Sequence, residues 1–193
     1  DNWDRMLTRA YFWDAYAITF WRASVAATLA SLLAFPASFA LAFKVSETTR
    51  RWILFVLIVP FFTSYLVRVY AWQVLLAESG PLNALLGYAG LGPVTMLNSG
   101  FGAMVGYMTL VLPLVVILQT FSLAAIDRNL IEASANLGAT PRATLFRVIL
   151  PAARIGLIIG FVFAFILSFG DFVSPFYLGG SKPPTLSILI IDT

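Results

Sequence analysis

Long apolar runs, separated by short charged segments, make up most of this 193-residue chain. The hydrocarbon core of a bilayer is roughly 30 Å thick, so a helix that rises 1.5 Å per residue needs about 20 apolar residues to cross it. The pattern predicts four spanning helices, at about 18–43, 52–77, 101–123 and 152–177. Each is apolar on all sides rather than along one stripe, as contact with lipid and neighbouring helices requires. The expected fold is an all-α, polytopic helical bundle in a membrane.

Proline falls within or beside every predicted span. Because proline lacks a backbone N–H and its ring clashes with the preceding turn, each one is expected to bend its helix. A membrane tolerates this when neighbouring helices or waters satisfy the freed carbonyl. Two interpretations stay open: ordinary kinks, or bent helices that line a cavity or gate. The prolines are Pro36, Pro60, Pro113, Pro151 and Pro175.

The distribution of charge predicts the orientation. Segments 44–51 and 127–154 hold seven of the 12 Lys and Arg residues, whereas 1–22, 78–100 and 171–193 together hold four. By the positive-inside rule the first two segments are cytoplasmic, and both ends of the sequence are then external. The sequence also begins without Met. We therefore expect a fragment of a longer polypeptide, with a further spanning helix upstream.

Composition narrows the functional classes. Hydrophobic residues make up 60% of the chain and charged residues 11%, whereas soluble domains carry about 25% charged residues. Cys and His are absent, which excludes disulfides, thiol nucleophiles, Cys/His zinc sites and Ser-His-Asp catalysis. Ser168 and Asp171 share a helix face but lack a nearby base, and no basic patch for nucleic acid is visible. We expect no catalytic residue, no metal, no cofactor and no nucleic-acid partner.

The predicted cytoplasmic loop, 127–151, carries the most specific pattern. Its first helix is predicted at about 128–137 and ends at Gly138, a residue suited to the left-handed C-terminal position. A second helix starts with Thr140 as N-cap and Pro141 at the first helical position, and it runs to the proline that opens the next span. Two short helices at the membrane surface predict a docking elbow.

This loop resembles the EAA loop of permease subunits in ATP-binding-cassette importers. The pattern of that loop is Glu-Ala-Ala, three residues, Gly, nine residues, Ile, one residue and Leu-Pro. Two positions depart conservatively, with Ser134 in place of the second Ala and Val148 in place of the Ile. The residues that match at the right intervals are Glu132, Ala133, Gly138, Leu150 and Pro151.

The resemblance implies that the elbow is a coupling helix that sits in a cleft of a separate ATPase subunit. Small residues at 133–135 would allow close approach to that partner. Whether Glu132 pairs with a basic group of the ATPase or neutralises Arg128 in its own helix stays open. The candidate coupling residues are Glu132, Ala133, Ser134, Gly138, Pro141, Leu150 and Pro151.

Other segments look like spermidine/putrescine-type permeases and their relatives, namely 1–3, 60–72, 170–175 and 178–180. The resemblance implies one transmembrane permease domain over 1–193 with the type I importer (MetI-like) fold, lacking the first and last of six spans. It implies a multi-pass protein of the bacterial cytoplasmic membrane that carries a polyamine or a related small solute. The implied partners are ATP-binding cassette ATPase subunits, a second permease subunit, a periplasmic or extracellular solute-binding protein and the lipid bilayer.

Arg68 and Asp171 are charged residues inside predicted spans and are therefore candidates for a functional site. By helix rise, both lie about 25 Å from the cytoplasmic ends of their spans. Either they form a structural ion pair, or they line the solute path, with Asp171 available to an amine and Arg68 at an outer gate. Ser64 and Tyr107 are further pathway candidates, and Tyr107 offers an aromatic face to an ammonium group. With one acid inside a span, only weak, transient binding of a polycation is expected.

An ATPase-independent secondary transporter or channel is the alternative function. Such a protein needs buried acids in mid-membrane for ion coupling, and the third span, 101–123, has none. The sequence lacks Gly-x-x-x-x-Gly-Lys-Ser/Thr, so this chain is not expected to be an enzyme, and ATP hydrolysis is expected on a separate subunit.

Overall fold

The computed structural model describes residues 10–181 and 184–191, and within them every regular element is helical. The Asp1-Asn2-Trp3 segment that carries part of the resemblance lies outside these residues. In chain order the elements are α1 Ala10–Phe43, α2 Glu47–Ile58, a 3₁₀ turn Val59–Phe62, α3 Tyr65–Leu76, α4 Pro81–Tyr88, α5 Gly100–Ala124, α6 Arg128–Asn136, α7 Pro141–Thr144, a π turn Leu145–Ile149, α8 Leu150–Gly170, α9 Val173–Tyr177 and α10 Leu186–Ile191.

Three helices of the described chain are long and apolar enough to cross a membrane: Ala10–Phe43, Gly100–Ala124 and Pro141–Gly170. A fourth crossing arises if the bent pair of helical segments on either side of residues 63–64 counts as one span. The predicted class, an all-α protein with several membrane-spanning helices, is confirmed.

The second predicted span, 52–77, is not one helix. Pro60 has no N–H with which to donate to the Val56 carbonyl, four residues before it. That carbonyl instead accepts the N–H of Val59, which is three residues further along the chain. The chain tightens into the 3₁₀ turn and leaves the helix, and α3 begins at Tyr65. The expected bend at this proline is therefore a complete break.

The second helix of the elbow and the fourth predicted span form one helix, Pro141–Gly170. The prediction that Pro151 opens the span is wrong. In the π turn just before this proline, the Leu150 N–H bonds to the Leu145 carbonyl, five residues back. The wider turn gives the proline ring room that a regular α-turn lacks. The helix also ends earlier than the predicted 177, so Asp171 lies just beyond it.

The chain divides into two compact units. The first comprises the described parts of Asp1–Ala26, Phe61–Val111 and Phe165–Thr193, and the second comprises Ala27–Pro60 and Leu112–Ala164.

In the first unit, α3, α9 and the segment before α5 share one apolar core. Asn83 holds that segment in place, because its Nδ2 donates to the carbonyls of Ala77 (3.1 Å) and Val94 (3.0 Å) and its Oδ1 accepts the Val94 N–H (2.8 Å). The Asn83 side chain is buried, at 6% exposure. Its three hydrogen bonds therefore fix an irregular segment in the way that backbone hydrogen bonds fix a helix. The buried apolar residues of this core are Val69, Leu76, Met96, Val173 and Leu178.

In the second unit, small residues bring helices close together. Ser122 Oγ donates to the Ala153 carbonyl at 3.0 Å and joins α5 to α8. Gly156 lies directly against Ser122, where a Cβ would collide with the serine side chain. Such close approach through small residues is typical of helix packing in membranes. The core of this unit extends to the elbow through Ile131 and Leu145, which pack on Ala42, Leu123, Ile149 and Ala153.

Candidate functional site

The first helix of the elbow, α6, has a well-formed cap at each end. Asp127 Oδ1 accepts the N–H of Asn129 at 2.9 Å and caps the N-terminus. At the other end, the N–H of Ala139 bonds to the Ser134 carbonyl (3.1 Å) and the N–H of Gly138 bonds to the Ala135 carbonyl (2.9 Å). This pair of bonds is a Schellman motif, and Gly138 supplies its left-handed residue with φ +79°. The predicted end of the helix at this glycine is confirmed.

The second helix begins as the sequence predicts. Thr140 Oγ1 accepts the N–H of Ala143 at 3.3 Å, and Pro141 occupies the first helical position. The hydroxyls of Ser134 and Thr144 lie 2.9 Å apart and join the two helices of the elbow. Ser134, which departs from the EAA pattern, therefore has a structural contact that an alanine would lack.

The elbow presents apolar and small residues on its surface. Leu137 is 88% exposed, and Leu130 and Phe146 are also exposed. Leu130 and Leu137 line an open groove of about 620 Å³ together with Ala133, Ser134, Gly138, Thr140 and Ala143, among others. Exposed apolar side chains beside a groove are typical of a surface that contacts another protein or a membrane.

Glu132 has a free carboxylate on this surface. It is exposed, and among the described residues it forms no salt bridge with Arg128 or any other base. The intrahelical pair that the sequence allowed is therefore not formed. The same two residues line a smaller groove of about 250 Å³ with Ile131, Phe39 and Phe43. Of the remaining coupling candidates, Leu150 is half-buried and Pro151 is exposed.

A second candidate site, the Asp171 constellation, lies in the first unit and comprises Tyr65, Arg68, Tyr107, Asp171 and Ser174. Asp171 itself is 7% exposed. Its Oδ1 accepts the N–H groups of Val173 (2.9 Å) and Ser174 (3.4 Å) at the start of α9. Its Oδ2 accepts the hydroxyls of Tyr65 (2.6 Å) and Ser174 (2.5 Å). Both carboxylate oxygens are thus occupied by donors of the chain itself.

Arg68 does not pair with Asp171, so the ion-pair alternative is not realised among the described residues. The guanidinium carbon lies 5.5 Å from the centre of the Tyr65 ring, in cation–π range. One guanidinium nitrogen reaches the Thr109 carbonyl at 3.4 Å. That carbonyl is the one that Pro113 leaves without its usual helical donor. Tyr65 is the residue that links Arg68 to the acid.

The other two pathway candidates differ in position. Tyr107 is fully buried on α5 and packs with Ala103 and with Ala26, which lies one helical turn after Arg22 on α1. Ser64 is exposed at the N-cap of α3, where its side chain makes no capping bond. The structure thus brings Arg68, Tyr107 and Asp171 into one constellation.

Sequence reasoning missed Ser174 and Arg22. Ser174 follows Asp171 by three residues, a spacing that signals an N-terminal cap. Arg22 was counted with the external charges, and no local pattern links it to Tyr107. Close packing of Gly106 on Ser174 and of Gly102 on the Leu178 carbonyl, where added Cβ atoms would collide, holds the segment after α8 against α5.

Comparisons with known proteins agree on one family. A family model described as "Binding-protein-dependent transport system inner membrane component" matches residues 26–193. The chain is 34% identical over 170 residues to the inner membrane ABC transporter permease protein YdcU of Escherichia coli K12, covering 81% of this chain and 54% of the relative. It is 32% identical over 185 residues to the spermidine/putrescine transport system permease protein PotB of the same organism, covering 94% and 66%. The chain thus spans 54–66% of the length of these two relatives.

Two crystal structures share the fold. One is a bacterial ABC transporter involved in the import of the acidic polysaccharide alginate, with a TM-score of 0.71 at 16% identity over 97% of this chain and 69% of that one. The other is a bacterial alginate ABC transporter in complex with an alginate pentasaccharide-bound periplasmic protein, with a TM-score of 0.69 at 17% identity over 85% and 59%. At these identities the likeness shows the fold alone, and it confirms the predicted MetI-like permease fold.

Proposed function

We propose a function from one premise, which is that this chain belongs to the family of binding-protein-dependent transport system inner membrane components. It acts as a permease subunit of an ATP-binding-cassette importer in the bacterial cytoplasmic membrane. The observation that carries the proposal is the elbow, because its capped geometry presents Leu137, 88% exposed, beside a groove lined by small residues. A separate ATPase subunit binds this surface and supplies the free energy of ATP hydrolysis.

The mechanism follows from the continuity of the chain. The elbow leads directly into the helix Pro141–Gly170, so a displacement of the elbow by the ATPase moves a membrane-spanning helix. The hydroxyl bond between Ser134 and Thr144 and the packing of Ile131 keep the two elbow helices together during that movement. Glu132, free of an internal partner, pairs with a basic group of the ATPase. Alternating opening of the path toward each side of the membrane then follows nucleotide binding and hydrolysis.

Further partners complete the importer. With three to four spanning helices in the described chain, a second permease subunit supplies the other half of the pore wall. A solute-binding protein outside the membrane delivers the solute. The surplus of Lys and Arg in 44–51 and 127–154 supports a cytoplasmic position for the elbow.

For the solute we propose a polyamine or a related small molecule. The similarity to PotB, the permease protein of spermidine/putrescine transport systems, supports this class. The occupied oxygens of Asp171 leave little for an ammonium group to bind, which suits a weak, transient route and a selective binding protein.

The experiment replaces the most exposed apolar residue of the elbow. Leu137→Asp places a charge where the ATPase would bind, and we expect the ATPase subunit to be lost on co-purification, with loss of ATP-driven uptake. Tyr88→Asp is the matched control, because Tyr88 is 91% exposed on the other unit and should retain the complex. An intact complex with Leu137→Asp, or uptake that continues without any ATPase, would contradict the proposal and favour a secondary transporter or channel.

A further inference from the structure

Two arginines of the first unit each hold one guanidinium nitrogen that is buried and has no hydrogen-bond partner among the described residues. They are Arg22 Nη1 on α1 and Arg68 Nε on α3. Neither arginine forms a salt bridge with a carboxylate among the described residues. A buried guanidinium N–H without an acceptor is unfavourable, and more so at membrane depth, where no bulk water substitutes.

The acid of the same constellation does not supply the missing acceptor. Asp171 already receives two hydroxyls, from Tyr65 and Ser174, and two backbone N–H groups. Its local donors hold it as the cap of α9. Among the described residues, the constellation therefore has two guanidinium N–H groups without an acceptor, and both oxygens of its carboxylate are already occupied.

The two arginines share a neighbourhood through a series of intervening residues. Arg22 lies one helical turn before Ala26, which packs against Tyr107. Gly106, next to Tyr107 on α5, lies against Ser174, whose hydroxyl donates to Asp171. Asp171 is hydrogen-bonded to Tyr65, and the guanidinium of Arg68 lies over the ring of Tyr65 in a cation–π contact. Four separate stretches of the first unit thus contribute one positively charged, donor-rich site.

We infer that Arg22 and Arg68 bind an anionic oxygen group of the transported solute, a carboxylate or a phosphate. Guanidinium groups match such anions in shape and donor geometry. The inference rests on the proposed importer function and narrows its solute. Of the two classes proposed above, the site favours a related small molecule with an acidic group over a polyamine that carries amines alone.

The test uses a matched pair of probes on the complete transporter. γ-Aminobutyrate and putrescine both have four-carbon chains with an amine, but the former ends in a carboxylate where the latter has a second amine. The transporter is placed in phosphatidylcholine nanodiscs and treated with phenylglyoxal, which modifies guanidinium groups, and labelling is read at each arginine by peptide mass spectrometry. Arg154, exposed and outside the site, is the internal control.

We expect γ-aminobutyrate to slow labelling of Arg22 and Arg68 several-fold, and putrescine to leave it unchanged, with Arg154 unaffected by either. Arg22→Gln should reduce the protection of Arg68 by γ-aminobutyrate, whereas Arg154→Gln should preserve it. Equal protection by putrescine, no protection, or no reaction at either site arginine would overturn the inference. So would protection by phosphatidylglycerol without solute, since the anion would then be a lipid headgroup. The proposed importer function survives any of these results, because binding of the ATPase to the elbow is measured separately.

Discussion

The elbow and the Asp171 constellation are incomplete in opposite ways. The elbow exposes apolar side chains such as Leu137, although by its predicted position it faces water. The constellation buries charged nitrogens of Arg22 and Arg68, although its helices lie in a membrane. Exposed apolar surface is stabilised by a protein partner, whereas a buried cation is stabilised by an acceptor. The contrast supports the two proposals, that the elbow serves assembly and that the Asp171 constellation serves a polar ligand.

The largest expected effect separates the two sites by their capping aspartates. Asp171→Ala removes the acceptor of four donors, of which one hydroxyl of the Tyr65–Ser174 pair can still donate to the other, and should lower the free energy of unfolding by about 3 kcal/mol. Asp127→Ala removes one exposed cap from α6 and should lower it by about 1 kcal/mol. Titration with SDS in mixed micelles, followed by tryptophan fluorescence, measures both. Equal losses would show that Asp171 is no more deeply embedded than an ordinary surface cap.

The next effect tests how tightly the constellation is packed. Gly106→Ala drives a Cβ into the Ser174 side chain, so we expect a loss of about 2 kcal/mol in the free energy of unfolding. Gly87→Ala is the matched control, since a Cβ there meets no atom within 4 Å, and it should be neutral or slightly stabilising. The same SDS titration applies. If both variants unfold alike, α5 and the segment after α8 are not in close contact.

The two sites also differ in how far the sequence predicts them. The elbow could be predicted in detail because its signals are local: Gly138 ends one helix, and Thr140 with Pro141 starts the next. Its join to the following span was missed, because Pro151 normally marks a helix start and the π turn that accommodates it has no clear sequence signal.

The constellation could be predicted only in part. Arg68 and Asp171 stand out as charges in apolar runs, but their partners are fixed by packing between distant segments. Tyr65 lies 106 residues from Asp171 in sequence, and no periodicity reports such a contact. The break near Pro60 was foreseen as a bend, since a proline alone does not tell whether a helix kinks or ends: Pro36 and Pro113 remain inside continuous helices.

A smaller effect tests the backbone of the elbow. Gly138 has φ +79° and open space around it. Gly138→Ala is therefore destabilising because of the left-handed backbone conformation, and not because the added Cβ collides with a neighbour. We expect a loss of about 1.5 kcal/mol for the left-handed alanine, with weaker co-purification of the ATPase. Gly138→Asn should lose less, because asparagine tolerates this region. An asparagine variant as weak as alanine would point to steric exclusion by the partner instead of backbone strain.

The smallest effect concerns the residue at which the elbow departs from the EAA pattern. Ser134→Ala restores the pattern but breaks the hydroxyl bond to Thr144, so we expect a loss of about 0.5–1 kcal/mol in the free energy of unfolding. Because Thr144 is buried, its own hydroxyl is then left without this partner. A double-mutant cycle with Thr144→Val isolates the bond, and a coupling energy near zero would mean that apolar packing alone joins the two helices. A measurable coupling would instead show that in this elbow the residue at the second Ala position of the pattern forms a hydrogen bond between the two helices.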